Sequence, residues 1–209
     1  IEGGTVLNVA VKLDGKRPIE VVVKPRRDKF VKVVSKDLGK RRILKSAAEI
    51  ADHSDPHDWC ALVKSALTVT KFRFGERGID IIISADLPKG SGMGTSSILG
   101  AATVAALLGR NDPDEVASLT LELEREMSTG GGWQDQVGGL SNGIKYITTA
   151  PGMDQQIKVQ HIQISQQTKQ ELEQRFALIY TGQRRLARNL LRDVVGRYVG
   201  NEPESVYAL

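Results

Sequence analysis

The stretch of this chain best suited to phosphate chemistry is a glycine-rich run between Leu87 and Leu99. Its sequence is Leu-Pro-Lys-Gly-Ser-Gly-Met-Gly-Thr-Ser-Ser-Ile-Leu. Its glycines let the backbone approach a phosphate closely, and a helix that begins after them offers unpaired N–H groups and a positive dipole end. The hydroxyls of Thr95, Ser96 and Ser97 can cap that helix, bind phosphate or reach a metal ion. The run therefore predicts an anion site.

Two familiar phosphate motifs are absent from this run. A Walker A loop ends in Gly-Lys-Ser/Thr, whereas Lys89 precedes the glycines here. The dinucleotide fingerprint has a different glycine spacing and needs a nearby acidic residue that closes a strand, which is not found after this run. A glycine-rich connection followed by an ordinary helix cap is the alternative interpretation, so the run alone does not distinguish a ligand site from a turn.

A second stretch, Glu122–Gly139, ends a predicted helix in a cluster of glycines and places one carboxylate there. Its sequence is Glu-Leu-Glu-Arg-Glu-Met-Ser-Thr-Gly-Gly-Gly-Trp-Gln-Asp-Gln-Val-Gly-Gly, with Asp135 between two glutamines. The helix carries Leu119, Leu123 and Met127 on one stripe, which puts its glutamates to the sides. Periodicity does not decide which glutamate is functional.

Together the two stretches resemble the GHMP small-molecule kinases. Pro88–Ser97 is similar to the phosphate loop Pro-x-x-x-Gly-Leu-Gly-Ser-Ser-Ala of that superfamily, with methionine, threonine and serine at three of its positions. Within the superfamily, Thr129–Gly139 and Tyr180–Leu191 are similar to the L-fucokinases in particular. The resemblance runs from Gly3 to about Val199, which is nearly the whole chain.

The resemblance implies a fold of the α+β class in two parts. Residues 1–150 would form the ATP-binding N-terminal domain of a GHMP kinase, which is similar to the second domain of ribosomal protein S5. Residues 151–209 would begin an incomplete ferredoxin-like C-terminal domain. The chain lacks an initiator methionine and the family's sugar-contacting and late glycine-rich segments. We therefore expect an excerpt of a longer polypeptide, in which a nucleotidyltransferase domain could be fused upstream.

The resemblance also implies an activity and the residues that perform it. Kinases of this kind transfer the γ-phosphate of ATP to the anomeric hydroxyl of L-fucose, giving L-fucose 1-phosphate, and use Mg²⁺. Asp135 matches the catalytic carboxylate that accepts the proton of the sugar hydroxyl. Glu124, eleven positions earlier, and Ser96 match the metal ligands. The residues expected to bind the nucleotide are Lys89, Gly90, Ser91, Gly92, Met93, Gly94, Thr95, Ser96 and Ser97. The residues expected to contact the sugar are Gly132, Trp133, Gln134, Asp135 and Arg185.

Each of these assignments has an alternative. Glu124 would otherwise pair with an arginine or face solvent, Trp133 would belong to the core, and Arg185 would lie on a solvated arginine face. Within the superfamily, the alternative is a kinase of a heptose phosphate. Outside it, the alternative is a nucleic-acid-binding module similar to S5. That module gives no reason for the spacing of Glu124 and Asp135, so nucleic acid is not an expected partner.

Length and composition agree with a piece of a soluble enzyme, and the resemblance implies that its partners are ATP and a small sugar. The chain has 209 residues, 40% of them hydrophobic, and a formal net charge of +4. Ten lysines and arginines lie between Lys24 and Lys45, and the rest of the chain carries a net charge of −4. This basic segment is either a solvated hairpin face or a surface that attracts anions. No apolar run is long enough to span a membrane, and the single cysteine, Cys60, fits a cytoplasmic protein.

Sequence patterns also predict the order of the elements. Short β-branched runs between turn residues predict strands, and apolar residues at helical spacing behind capping residues predict helices. The predicted strands are Thr5–Leu13, Glu20–Val23, Phe30–Ser35, Arg41–Leu44, Ile79–Ser84, Gly143–Thr148, Ile157–Ile164 and Phe176–Tyr180. The predicted helices are Trp59–Thr70, Ser96–Leu108, Pro113–Met127, Gln167–Gln174 and Arg184–Tyr198.

Overall fold

The computed structural model describes residues 3–12, 15, 17–53, 55, 57–87, 92–110, 112–127, 132–152, 156–180, 182, 187–200 and 202–203. Within those ranges the chain forms seven strands and seven helices. The strands are β1 (Gly4–Val9), β2 (Ile19–Arg26), β3 (Val31–Ser35), β4 (Lys40–Leu44), β5 (Gly78–Ala85), β6 (Ile144–Thr149) and β7 (Ile157–Ile162). The helices are α1 (Ala47–Ala51), α2 (Ala61–Val69), α3 (Thr95–Leu108), α4 (Pro113–Glu126), α5 (Gln134–Leu140), α6 (Gln166–Arg175) and α7 (Ala187–Val199).

The elements predicted around the glycine-rich run are confirmed, and those near the end of the chain are confirmed in part. β5, α3 and α4 begin and end within one residue of their predicted bounds. The predicted strand Phe176–Tyr180 is wrong, because these residues are exposed and adopt neither strand nor helix. Their apolar, β-prone composition is not enough to form a strand, since a strand is stabilised by packing against neighbouring strands. Two helices, α1 and α5, were not predicted.

A mixed four-stranded sheet forms one layer of the molecule, in the order β2-β5-β3-β4. β5 pairs antiparallel with β2 and parallel with β3, while β3 and β4 form an antiparallel hairpin. Alternate residues of the two central strands are buried on one face, among them Val31, Val33, Ile81 and Ile83. Because the side chains alternate in this way, the helices cover only one face of the sheet.

The second sheet has the order β1-β6-β7 and is entirely antiparallel. β1 pairs with β6 over its whole length, from Gly4 opposite Thr149 to Val9 opposite Ile144. Of the first four strands, only β3 and β4 therefore form a hairpin with each other. β1 finds its partner far along the chain, which ties the beginning of the described chain to the segment that follows α5.

Helices α2, α4 and α5 pack around α3, and α5 also contacts β1 of the second sheet. The nearly uncharged α3 contacts α2, α4 and α5 as well as the four-stranded sheet, which explains its composition. A β-carbon on Gly100 would lie 3.5 Å from Thr120 and 3.6 Å from Leu123 of α4, which are ordinary van der Waals distances, so α3 and α4 pack closely here with room for a methyl group. Asp112 caps α4 by accepting from the N–H groups of the first turn, as its sequence predicts. Among the described residues, no helix is both long and apolar enough to cross a membrane.

A buried ion network anchors β4 to the start of α2. Asp58 and Lys64 have side chains that are 7% and 6% exposed, and they lie 2.7 Å apart. Arg42 of β4 donates to both carboxylate oxygens of Asp58, and Cys60 donates its N–H to the same group. Burial alone would raise the pKa of Asp58, but the hydrogen bonds and the two cations outweigh it and lower the pKa. Cys60 is fully buried, and burial raises the pKa of its thiol to about 11, so it is a packing residue.

Replacing Asp58 should be one of the more destabilising changes in this part of the chain. Asp58→Asn leaves the Lys64 ammonium buried without a carboxylate, and losing one partner of such a pair costs about 3 kcal/mol of the free energy of unfolding. Because the folded-state pKa is lowered, the contribution of Asp58 is complete above the pKa of an unfolded aspartate, about 3.9. It is lost as the pH falls through the lowered folded-state value. Urea unfolding at a series of pH values measures both effects.

An exposed pair provides the control for this prediction. Arg73 and Glu76 lie 3.4 Å apart with side chains that are mostly exposed, so Glu76→Gln should leave the urea midpoint unchanged. A stability gap between Asp58→Asn and the unmodified protein that does not narrow as the pH falls below about 3.9 would contradict the electrostatic explanation and indicate lost packing instead.

Candidate active site

The described part of the glycine-rich run begins at Gly92 and leads directly into α3. Gly94 is the residue before the helix and has a φ of +63°, a conformation that favours glycine. Gly94 has no side chain to cap α3, and among the described residues no side-chain hydrogen bond to the first N–H groups of the helix is found, so these groups can bind an anion. Met93 and Thr95 are half-buried, while Ser96 is exposed. The expected nucleotide-binding residues Lys89, Gly90 and Ser91 lie outside the described residues.

Asp135 lies in the first turn of α5, with its carboxyl group against Gly94. A β-carbon built on Gly94 would lie 2.6 Å from the Cγ and 2.9 Å from the Oδ2 of Asp135. Burial raises the pKa of Asp135 above the usual range of an aspartate. The fold therefore brings together two residues that are separated by forty others in the sequence. Gly94 lies at the start of α3, after the glycine-rich run, and Asp135 is the carboxylate of the second stretch.

Glu124 lies on the face of α4 that is turned toward the same place, and it is only 6% exposed. Burial raises its pKa; the hydroxyl of Ser97 opposes this by donating to the carboxylate, and the negative charge of Asp135 raises it further. Glu124 and Asp135 are thus within electrostatic reach of each other. The alternative that Glu124 faces solvent is wrong, because the side chain is buried. The hydroxyl in contact with Glu124 is that of Ser97, one residue after the expected Ser96.

The other residues expected to contact the sugar differ in their exposure. Gly132 and Gln134 are exposed, and Trp133 is half-buried with its ring 3.2 Å from the position of a β-carbon on Gly4. Trp133 also packs against the cluster formed by Ala117, Val137 and Ile147, so it is at least partly a core residue. Arg185 lies outside the described residues.

The oxygen atoms of Glu124, Ser96 and Ser97 suit a cation whose other ligands are mostly water molecules and phosphate oxygens. Within the described residues, no group of three or more His, Cys, Asp or Glu side chains is placed to hold a metal ion. One buried carboxylate with hydroxyls nearby is nevertheless the usual protein share of a Mg²⁺ site that also uses substrate phosphates. Glu124, Ser96 and Ser97 therefore fit Mg²⁺ bound to a nucleotide and do not fit a metal held by protein alone.

Glu124→Gln should stabilise the protein in the absence of nucleotide. The charged carboxylate is disfavoured by burial at neutral pH, whereas an amide avoids that cost and still accepts from Ser97. We expect Tm to rise by about 2–4 °C at pH 7.5, the change that ~1 kcal/mol produces in a chain of this size. Below the pKa of an unfolded glutamate both states hold the proton, so the gain should vanish near pH 4. Thermal unfolding at the two pH values tests this.

Glu122 provides the matched control on the same helix. It is exposed, so Glu122→Gln should leave Tm unchanged at both pH values. A gain for Glu124→Gln that is the same at pH 4 and pH 7.5 would contradict the explanation by a disfavoured charge.

Two residues that position α5 were not identified from the sequence. Lys145 of β6 is fully buried, and its ammonium donates to the carbonyl oxygens of Gly138, at 2.6 Å, and of Ser141. Asn8 of β1 packs its amide on the α-carbon of Gly138. A signal for Lys145 exists, since period-two alternation places it on the inward face with Ile147.

Comparison with known proteins places this arrangement in a family. Residues 61–143, which include α2 to α5, match the family described as GHMP kinases N terminal domain. The chain carries a GHMP kinase N-terminal domain. The chain is 40% identical over 204 residues to the bifunctional fucokinase/GDP-fucose pyrophosphorylase of Arabidopsis thaliana, and the aligned region covers 94% of this chain and 19% of that protein. It is 33% identical over 214 residues to the L-fucokinase/L-fucose-1-P guanylyltransferase of Bacteroides fragilis, covering 92% and 22%.

A solved structure confirms the fold of the GHMP kinase chain. The D-glycero-D-manno-heptose 1-phosphate kinase of Bacteroides thetaiotaomicron superimposes with a TM-score of 0.64 at 21% identity, covering 82% of this chain and 55% of that one. The predicted α+β GHMP kinase fold is therefore confirmed, while the ferredoxin-like character of residues 151–209 stays a prediction. The chain spans about a fifth of the length of the two curated relatives.

Proposed function

We propose that this chain is the kinase part of an enzyme that transfers the γ-phosphate of ATP to a sugar, and that the sugar is L-fucose. The observation that carries the proposal is the contact between Asp135 and Gly94, which puts a carboxylate of raised pKa at the start of α3. Support for the sugar comes from the two relatives, whose names include fucokinase activity. The product is then L-fucose 1-phosphate.

In this reaction the anomeric oxygen forms a bond to the γ-phosphorus, and the bond from that phosphorus to the bridging oxygen of ADP breaks. Asp135 accepts the proton of the attacking hydroxyl and aligns its oxygen. The raised pKa of Asp135 brings this base closer to neutral pH, where a general base works best. The N–H groups at the start of α3, which Gly94 does not cap with a side chain, can bind the negatively charged phosphates.

Mg²⁺ would be held by Glu124 together with a hydroxyl of Ser96 or Ser97. Burial and the charge of Asp135 both raise the pKa of Glu124, and a neighbouring cation relieves both effects, so the residues present fit the ion. When bound with ATP, Mg²⁺ neutralises negative charge on the phosphate oxygens. The hydrogen bond between Ser97 and Glu124 keeps the carboxylate oriented toward the start of α3.

The remaining parts of the proposal concern the whole protein. We infer that residues 1–150 are the ATP-binding domain, that residues 151–209 begin the C-terminal domain, and that the protein works in the cytoplasm. A fused nucleotidyltransferase is supported by the relatives, whose names join fucokinase with GDP-fucose pyrophosphorylase or L-fucose-1-P guanylyltransferase.

Calorimetric titration of the full-length protein with ATP, with and without Mg²⁺, tests the nucleotide site, and a phosphotransfer assay with L-fucose and a heptose phosphate tests the acceptor. We expect binding that depends on Mg²⁺, that weakens about tenfold or more in Glu124→Ala, and that is unaffected in the exposed control Glu122→Ala. Comparing Ser96→Ala with Ser97→Ala identifies the hydroxyl involved.

Two results would contradict the proposal in different ways. A folded protein that binds no ATP would exclude the kinase assignment, and RNA binding with a steep salt dependence would then favour the S5-like alternative. A protein that binds ATP but phosphorylates only the heptose phosphate would keep the kinase and replace the sugar.

A further inference from the structure

Helix α5 rests on two side chains from neighbouring strands, Asn8 of β1 and Lys145 of β6, which we call the α5 seat. The two residues are directly opposite each other in the β1–β6 ladder. The amide of Asn8 lies so close to Gly138 that a β-carbon there would be 2.3 Å from its Nδ2. Lys145 donates to the carbonyl oxygens of Gly138 and Ser141. The register of the two strands therefore fixes both contacts at once.

The position of Lys145 suits the end of a helix. Gly138 and Ser141 supply carbonyl groups from the last turn of α5, which have no partner within a helix. A cation there satisfies these acceptors and interacts favourably with the negative end of the helix dipole. Lys145 is 0% exposed, so it is not a surface lysine that happens to reach a carbonyl. Burial lowers the pKa of Lys145. In the contacts described, its ammonium group is held by backbone carbonyl groups.

Beyond its packing on α3, α4 and β1, α5 has few features of its own that fix its position. It has only seven residues, and its N-cap residue, Trp133, makes no side-chain capping hydrogen bond. A helix this short is marginal without tertiary contacts. Gly138 lies three residues after Asp135, about 4.5 Å along the helix axis, so a shift at the seat is transmitted to the carboxylate. Asp135 tolerates no shift toward Gly94, because the two are already in contact.

We propose that Lys145, with Asn8, is a positioning residue that holds Asp135 in place against Gly94. The inference rests on the proposed function, since it concerns the residue assigned there as the base. Lys145 touches neither nucleotide nor sugar in this arrangement, and it acts through the backbone of α5. Its loss should therefore lower kcat and leave the KM for ATP unchanged, because its hydrogen bonds reach the end of α5 and neither α3 nor Glu124.

Lys145→Met in the full-length protein tests the inference, with Lys64→Met as the matched control. Lys64 is also a buried lysine that donates to a backbone carbonyl, that of Asp52, but it lies in the network around Asp58. For Lys145→Met we expect amide hydrogen exchange of residues 134–140 to accelerate at least tenfold and kcat to fall about tenfold. For Lys64→Met we expect a similar loss of stability, with α5 exchange unchanged and kcat within about twofold of the unmodified enzyme.

A milder change at the seat covers the case in which Lys145→Met does not fold. Asn8→Ala removes the amide from Gly138 but leaves no buried charge, and it should accelerate exchange of α5 several-fold more than exchange of α2. Exchange of α5 that is no faster in these variants than in Lys64→Met would overturn the inference. If the unmodified protein transfers no phosphate, the proposed function fails, while the exchange data still decide whether Lys145 and Asn8 hold α5.

Discussion

Asp135→Asn should lower kcat about 10³-fold while leaving the affinity for ATP within about threefold. An amide has nearly the shape of the carboxyl group that packs on Gly94, so the loop and α3 should keep their positions. It cannot accept the proton of the sugar hydroxyl, and general-base catalysis contributes roughly 10²–10⁴-fold. Calorimetric binding of ATP together with the rate of ADP release measures the two quantities separately.

The pH dependence gives a second and independent test of the same residue. Because burial raises the pKa of Asp135, the activity of the unmodified enzyme should decline with falling pH at a higher pH than for an ordinary aspartate. The residual activity of Asp135→Asn should lack this acidic limb. Glu126→Gln is a suitable control, since Glu126 is a partly exposed carboxylate that pairs with His53 and should not affect kcat. Phosphotransfer that is unchanged in Asp135→Asn would remove its assignment as the base.

Gly94→Ala should reduce kcat by 10² or more and also destabilise the protein. The φ of +63° at Gly94 costs a residue with a β-carbon about 1–2 kcal/mol. The added methyl group would also lie 2.6 Å from the Cγ of Asp135, so either the carboxyl group or the loop must move. A displacement of about 1 Å in a reacting group can cost 10²-fold in rate. Steady-state kinetics and thermal unfolding of the variant measure both effects.

Gly109 at the other end of α3 separates the two causes. It has a φ of +67°, but a β-carbon there would meet nothing within 4 Å. Gly109→Ala should therefore show a similar loss of stability with kcat nearly unchanged. If the two glycine variants lose the same small amount of activity, then the contact between Gly94 and Asp135 has no catalytic importance.

The parts of the fold that depend on local pattern could be predicted from the sequence. The uncharged run of α3 and the Asp-Pro start of α4 predict their helices, and the apolar run before the glycines predicts β5. The glycine-rich run also predicts a turn with positive φ, which Gly94 and Gly92 adopt. For these elements, local propensity and tertiary environment agree.

α5 was not predicted, because its two central glycines are poor helix formers. It forms because Val137 is buried in the core against Ala117 and Ile147, and because Lys145, on the strand that follows, binds its last carbonyl groups. The proximity of Asp135 to Glu124 likewise followed from the resemblance to GHMP kinases and not from spacing. Periodicity within one element shows which residues share a face, but it does not show which other elements that face contacts.

The pairing of β1 with β6 has a consequence for the synthesis of the protein. The N–H of Gly4 reaches Thr149, 145 positions later, so β1 cannot acquire its partner until that strand has left the ribosome. At about 5–20 residues per second this delay is on the order of 10 s. During that time Asn8 is separated from Lys145 and the edge of β1 is open to other strands. A nascent chain that ends before β6 thus contains Gly94, Glu124 and Asp135 in its sequence without the strand pair that seats α5. The contacts that seat α5, and with it the carboxylate that we propose as the base, therefore form only after β6 has been synthesised.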